Sequence, residues 1–480
     1  MCRNVILICL DELRGDCIGI AGHRHDVRTP HIDALLAGGA VFRNHFCVMP
    51  KCVPSRISMM TGRYTHTDGF RTIHQHLPAD HPDLVSTLKR NGYGVAVFGI
   101  NHCWEDGFER VMDVHAWTPP FDRHWGPESP FKRPMPETAG RPVPDIPETY
   151  DYRGCSRRWF DDTVTQCALE FIEDDARWNR PWYLQINLQA PHPPYQVEEP
   201  YFSMFPDGSF EPFPHEMPTG APSLVAAQRR HRTDVEPNID DLLEIQRVYF
   251  GMIAKADHLV GQIADALRRT GRLEDSLVVF FSDHGDYAGQ YGLVEKWDTH
   301  FPDPLVRVAF GMVGDGIEPH TAVDSLTEHI DVGPTVLDWL GLEPLPNAHG
   351  RSLLNTLAGT ESRKAVFADG GHEPPMRDRF NTPVEKNIDR EVHIDGKQLT
   401  YRESPEAMAR AKMVRTHTHK LVIRETGDHE LYDLVADPHE LINLYGGEGT
   451  LDIERELMHL MLEWVLRTDP DYPFQAEVGA

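Results

Sequence analysis

Two short, uninterrupted apolar runs, residues 5–10 and 277–281, constrain this chain most, because each ends abruptly in acid. A strand that is apolar at every position must be buried on both faces, as in the parallel sheets of α/β proteins. The first run stops at Asp11-Glu12 and the second at Ser282-Asp283-His284-Gly285. In an open parallel sheet, sites form beyond the carboxyl ends of the strands. The two ends can therefore be neighbours although they are far apart in sequence. Asp11, Asp283 and His284 would then present two carboxylates and an imidazole, a donor set suited to a divalent cation. Singly, Asp11 also reads as a turn or cap residue and His284 as a satisfied loop histidine.

The intervening chain repeats helix and strand. Thr29-Pro30-His31-Ile32-Asp33 opens a helix, with Thr29 as its cap and Pro30 at its first position, and Gly38-Gly39 ends it. Residues 41–47 read as the next strand, 83–91 as a helix and 95–98 as a strand ending at Gly99. Residues 159–176 have helical spacing, 182–188 read as a strand, and 239–269 carry a long amphipathic pattern. The alternation runs to residue 340 and predicts an α/β fold with a large, mostly parallel sheet flanked by helices. Residues 115–150 are Pro-rich and aperiodic, a long surface loop, and 200–238 look irregular. Later, 413–416, 420–424 and 430–434 read as short strands and 453–466 as a closing helix. The organisation expected is a catalytic domain over 1–370 and a smaller C-terminal α+β subdomain over 371–480, with a short antiparallel sheet.

The formal charge of −27 opposes nucleic-acid binding and association with an anionic membrane. An anionic substrate would need a locally positive pocket. All eight cysteines fall within the first 167 residues, in neither a disulfide framework nor a zinc pattern. No secretory signal and no run long enough to span a bilayer is evident, so a cytoplasmic enzyme with reduced thiols is expected. Among the 27 histidines, His66, His74, His76 and His81 read as surface or loop residues.

The segment from Pro50 to Arg63 reads as a loop entering a helix. Pro54 fits the first turn, where its missing N–H would be unpaired anyway. Cys52 then sits at a helix start, where free N–H groups favour negative charge. Arg56, four residues on, projects from the same face. A sulfur side chain, an anion-binding helix end and a guanidinium fork together suggest chemistry on an oxyanion ester. A buried structural thiol beside an exposed arginine is the plainer reading. A thiolate phosphatase fits poorly, because it requires arginine where this chain has Ser58.

Cys52-Val53-Pro54-Ser55-Arg56 with Thr61-Gly62-Arg63 resembles the signature of type I sulfatases, in the alkaline phosphatase-like superfamily. Leu7-Ile8-Cys9-Leu10-Asp11 and Ser282-Asp283-His284-Gly285-Asp286 resemble that family's two metal motifs. Ala190-Pro191-His192-Pro193-Pro194-Tyr195 resembles its histidine loop, and Gly289 to Lys296 its lysine segment. Leu431-Tyr432-Asp433-Leu434 with Asp437-Pro438-His439-Glu440 is similar to its C-terminal signature. The likeness spans nearly the whole chain, in order.

The resemblance implies that a formylglycine-generating enzyme oxidises Cys52 to the aldehyde formylglycine. It implies one divalent cation, calcium ahead of manganese, on Asp11, Cys52, Asp283 and His284. It makes Cys52, Arg56, His102, His192 and Lys296 catalytic, with Arg56, His192 and Lys296 also binding substrate. The hydrated aldehyde carries two hydroxyls: one attacks sulfur and displaces the alcohol, and the other then expels sulfate. His192 would protonate the leaving alcohol and His102 deprotonate the second hydroxyl. The expected substrate is a small-molecule or saccharide sulfate ester. Three departures stand out. Ile100, in Gly99-Ile100-Asn101-His102, replaces the family's lysine; Glu12 replaces an aspartate; and Asp283-His284 is similar to choline sulfatases and phosphonate monoester hydrolases. A phosphonate monoester hydrolase or phosphodiesterase using the same nucleophile and metal is the alternative.

Overall fold

The first apolar run forms β1 (Asn4–Asp11), buried at every position, near the middle of an eight-stranded sheet. The computed structural model describes residues 3–22, 26–105, 107–108, 111–118, 158–174, 179–233, 237–372 and 396–469. Within it the further strands are β2 (Ala40–Phe42), β3 (His45–Phe46), β4 (Gly94–Ile100), β5 (Val114–Thr118), β6 (Trp182–Pro191) and β7 (Ser276–Ser282). These are followed by β8 (Phe310–Val313), β9 (Thr321–Val323), β10 (Thr327–Glu328), β11 (Val366–Gly370), β12 (Ala411–Arg415), β13 (His419–Arg424) and β14 (Glu430–Asp433). The large sheet has the order β5-β4-β6-β1-β7-β8-β2-β9. Only the two joins made by β8 are antiparallel.

The continuous apolar run in β1 follows from its position. Ile6, Ile8 and Leu10 enter a core beneath the helices Pro30–Leu36, Arg158–Glu173 and Ile239–Arg269. Val5, Leu7 and Cys9 enter the opposite core, beneath the helices Cys52–Thr61, Leu84–Arg90 and Val332–Leu340. Each fully buried aliphatic side chain contributes roughly 1.5–3 kcal/mol relative to exposure, so a polar residue on either face would be costly. Register does the rest. Leu10 pairs with Ser282, so the chain leaves both strands at the same height, into Asp11 and Asp283. A register shift against β6 pairs Asp11 with Pro191 and brings His192 to that level.

The second sheet is antiparallel, ordered β11-β12-β13-β14, and the helix Leu451–Arg467 seats Leu457, Met461 and Trp464 beside it. The six described cysteines are all free thiols. Among the described residues no helix is long and apolar enough to cross a membrane.

Several local expectations change. Residues 41–47 are not one strand: a turn at Arg43-Asn44, where the Asn44 amide donates to Asp324 O, separates β2 from β3, and β3 pairs with β10 outside the large sheet. Thr29 does not cap its helix. Asp257 accepts the N–H groups of His31 and Ile32 instead, and the Thr29 hydroxyl accepts from Gly19 N. The stretch 200–238 contains a helix, Ser223–Gln228, continued by a wide turn at Arg229–Thr233. The start of the expected 115–150 loop belongs to β5, and the remainder lies outside the described residues. His66 is buried, its Nε2 2.7 Å from Thr468 Oγ1.

Candidate active site

The helix Cys52–Thr61 begins at Cys52 itself and is buried throughout. Cys52 Sγ lies 3.2 Å from His284 Nε2 and 3.8 Å from Asp11 Oδ1. One turn along, Arg56 spans the two strand ends: Nε donates to Asp283 Oδ2 at 2.8 Å and Nη2 to Asp11 Oδ2 at 2.9 Å. Both acids are fully buried. Burial, the largest single influence, would raise the pKa of each carboxyl. Arg56 together with the histidines around it (His192 and His102 for Asp11, His284 for Asp283) outweighs it, and both lie below the usual carboxylate range. Arg56 Nη1 is buried and makes no hydrogen bond within the protein. Ser55 Oγ also donates to Asp283 O, and the amides of Glu12 and His284 donate to Asp283 Oδ1.

Asp11, Cys52, Asp283 and His284 each offer one donor atom, all within 4.8 Å of one another. His284 Nδ1 lies 3.0 Å from Gly285 O, which can only accept, so Nδ1 carries the proton and Nε2 turns its lone pair toward this centre. Two carboxylates and a correctly presented imidazole fit a divalent cation.

Glu12, which the sequence left outside the ligand set, belongs to the site. Its φ of 75° is a left-handed conformation unusual for a non-glycine residue, and it turns the side chain back beside Asp11. Glu12 Oε2 accepts from Lys296 Nζ at 2.9 Å, whereas Oε1 is buried without a partner. Burial pushes this carboxyl up despite Lys296. Its neighbour Asp11, together with His192, offers donor atoms within 4.8 Å of it.

Lys296 Nζ also donates to His192 Nε2 at 3.0 Å and to Glu295 Oε1 at 3.3 Å. His192 Nδ1 faces Pro193 O, which fixes the tautomer and leaves Nε2 as the acceptor. Burial, then the Lys296 charge, push His192 down to about 3, so the resting imidazole is neutral. His102 Nδ1 stands 3.6 Å from Asp11 Oδ2, and burial pushes it down to about 4. Ile100, at the end of β4, packs into the apolar core and accepts at its carbonyl from Asn187 Nδ2, so it adds no charge. All eight residues expected from the sequence thus meet through Asp11 and Glu12. Three cations were missed. Lys51 bonds Asp298 at 2.7 Å, and Lys397 and Arg232 bond Glu295 at 2.9 and 2.6 Å. Lys51 had a visible signal in its place beside Cys52; Lys397 had none.

Cys52 as a thiol is poorly suited to attack. Burial raises its pKa, and the Asp11 charge raises it further. The arrangement instead suits an oxygen nucleophile at position 52, facing a cation and flanked by Arg56 and Lys296.

The sulfatase family model matches residues 3–342, and the chain belongs to that family, within the alkaline phosphatase-like superfamily. It is accordingly a hydrolase of the sulfuric-ester class. It is 26% identical to a multifunctional alkaline phosphatase superfamily protein, PehA, of Trinickia caryophylli, over 97% of this chain and 95% of that one. It is also 26% identical to the choline-sulfatase of Rhizobium meliloti (strain 1021), over 92% of this chain and 82% of that one. In fold it is similar to the phosphonate monoester hydrolase of Silicibacter pomeroyi, with a TM-score of 0.76, 22% identity, and coverage of 98% and 96%.

Proposed function

We propose that this enzyme hydrolyses a sulfate ester of a small molecule or saccharide, using formylglycine made from Cys52 and one divalent cation, calcium ahead of manganese. The observation that carries this reading is the meeting of the Cys52 helix start with donor atoms of Asp11, Asp283 and His284 inside 4.8 Å. Asp11, Asp283 and His284 would hold the cation, and Glu12, with a buried unpartnered Oε1, shares a second donor cluster with Asp11 and His192. When bound, the cation supplies positive charge that favours ionisation of an adjacent hydroxyl. A hydrated aldehyde at position 52 supplies two hydroxyls on one carbon, for attack and then for release.

The chain's own residues do the remaining work. Arg56 spends Nε and Nη2 on the two acids, and its unbonded Nη1 remains for a sulfuryl oxygen. Lys296 opposes the same charge. His192 starts neutral because burial, and then the Lys296 charge, disfavour its protonated form. An anionic ester beside the pair offsets the Lys296 repulsion, raises the imidazole pKa and lets His192 act as the acid for the leaving alcohol. His102, buried and neutral, serves as the base in release.

The direct test is the mass of the peptide containing Cys52 from protein coexpressed with a formylglycine-generating enzyme. It should fall by about 18 Da, the change from thiol to aldehyde. Full sulfatase turnover by protein holding only unmodified cysteine would refute the reading. Ile100 favours a second reading, a phosphonate monoester hydrolase, because the sulfatase lysine is absent. Comparing kcat/KM for an aryl sulfate and a phenyl phosphonate monoester separates them. We expect the sulfate to lead, and a phosphonate preference of several decades would reverse the assignment.

A further inference from the structure

Strand β6 gains two residues on β1 just before His192. Leu188 faces Leu10 of β1, but the next pair is Pro191 with Asp11, so Gln189 and Ala190 have no counterpart there. An insertion of this kind bends a strand and re-aims the side chains that follow it. An unbroken register would set Gln189 opposite Asp11. His192 would then stand two residues, roughly 6–7 Å, farther along the strand direction.

Both amides of the insertion go to one carboxylate. Asp161 Oδ1 accepts from Gln189 N at 2.7 Å, and Oδ2 accepts from Ala190 N at 2.9 Å. Gln189 O in turn accepts from His192 N at 2.9 Å, which closes the turn on His192 itself. Asp161 lies in the first turn of the helix Arg158–Glu173, next to the core residue Phe160, and is 7% exposed. Burial there raises its pKa, against the opposing pull of the two amides. An apolar side chain would cost less at this position unless the two amides needed a partner.

Packing alone does not fix the loop. A cavity of about 30 Å³ adjoins it, bordered by Asp161, Gln189, Ala190 and His192, so the loop has room to fall back. At its far end His192 Nε2 lies 3.0 Å from Lys296 Nζ and 3.4 Å from Glu12 Oε2. Glu12 and Glu295 hold Lys296 by bonds of their own. A displaced loop would therefore move His192 and leave Lys296 in place.

We propose that Asp161 is a positioning residue: by gathering the Gln189 and Ala190 amides it sets the β6 insertion that carries His192 to the leaving alcohol. This rests on the sulfatase reading above, in which His192 protonates that alcohol.

Leaving groups separate this role from a merely structural one. Phenyl sulfate needs a proton on its departing oxygen, whereas 4-nitrophenolate is stable enough to leave without one. The test uses calcium-loaded enzyme coexpressed with a formylglycine-generating enzyme. Asp161→Asn turns an N–H toward one of the two amides, so one bond is lost and the loop shifts. It should lower kcat/KM for phenyl sulfate about a hundredfold, and for 4-nitrophenyl sulfate by less than about threefold. Asp161→Ser, small enough to let water serve the amides, should show the same split in lesser degree, and it carries the test if the asparagine variant does not fold. In a His192→Ala background, Asp161→Asn should change phenyl sulfate hydrolysis by less than about twofold, because the group it positions is gone. Equal losses on the two sulfates, no loss on either, or the full loss in the His192→Ala background overturns the proposal and leaves the sulfatase reading intact. Failure of the unaltered enzyme to hydrolyse either sulfate would bring down that reading, and this proposal with it.

Discussion

Arg56→Met destabilises the metal-free protein by about 3–5 kcal/mol, the usual cost of removing one partner from a buried charge cluster. The side chain is of similar length, so the lost packing is small beside the lost charge. Asp11 and Asp283 are both fully buried, and each gives an oxygen to Arg56. Without the guanidinium, two like charges face each other in a site that water does not reach, and one carboxyl must take up a proton. The pH dependence therefore changes sign. In the unaltered protein both carboxyl pKa values are depressed, so their stabilisation is present above the unfolded carboxylate range and fades as pH falls toward the folded values. In Arg56→Met at least one is raised, and acidification from neutral pH relieves the repulsion. The urea midpoint in EDTA should drop sharply at pH 7, and the gap to the unaltered protein should narrow toward pH 5. Adding calcium should restore part of the loss, because the cation supplies the missing positive charge. An unchanged midpoint would mean that Arg56 does not hold the two strand ends together.

Much of this site could be read from the sequence because its parts lie at ends of regular structure. Residues 5–10 and 277–281 announced buried strands through unbroken apolarity, and the positions of Asp11 and Asp283 followed from where that apolarity stopped. The Cys52 helix start showed in Pro54 and in the apolar residues behind it. What could not be read depends on approach through space or on the backbone of single residues. Glu12 joins the site through a left-handed turn that nothing in its neighbours requires, and a longer acid beside Asp11 was equally compatible with a side chain turned away. Lys397 arrives on a helix whose docking depends on tertiary packing rather than local pattern. The split of residues 41–47 has the same origin. Both halves are apolar enough for a strand, but β2 pairs with β8 and β9 while β3 pairs with β10, a choice made by partners distant in sequence.

If Cys52 acts as formylglycine, as proposed, Cys52→Ser should convert a turning-over enzyme into one that reacts once. A hydroxyl at position 52 occupies the place of the Sγ atom, beside His284 and Asp11, and keeps an oxygen donor for the cation. It can attack sulfur and displace the alcohol, because Arg56 and Lys296 are untouched. Release is different. A hydrated aldehyde expels sulfate with its second hydroxyl, whereas serine has none, and water must attack a sulfate ester enclosed by buried residues. Mixing the variant with an aryl sulfate should give a burst of about one equivalent of phenol, followed by turnover slowed by about three decades or more. The protein should gain about 80 Da, the mass of a transferred sulfuryl group, on the peptide containing residue 52. Cys52→Ala should give neither burst nor adduct, which separates loss of the nucleophile from loss of the release step. Sustained turnover by Cys52→Ser near the unaltered rate would show that release does not need the second hydroxyl, and the chemical reason for converting this cysteine would be gone.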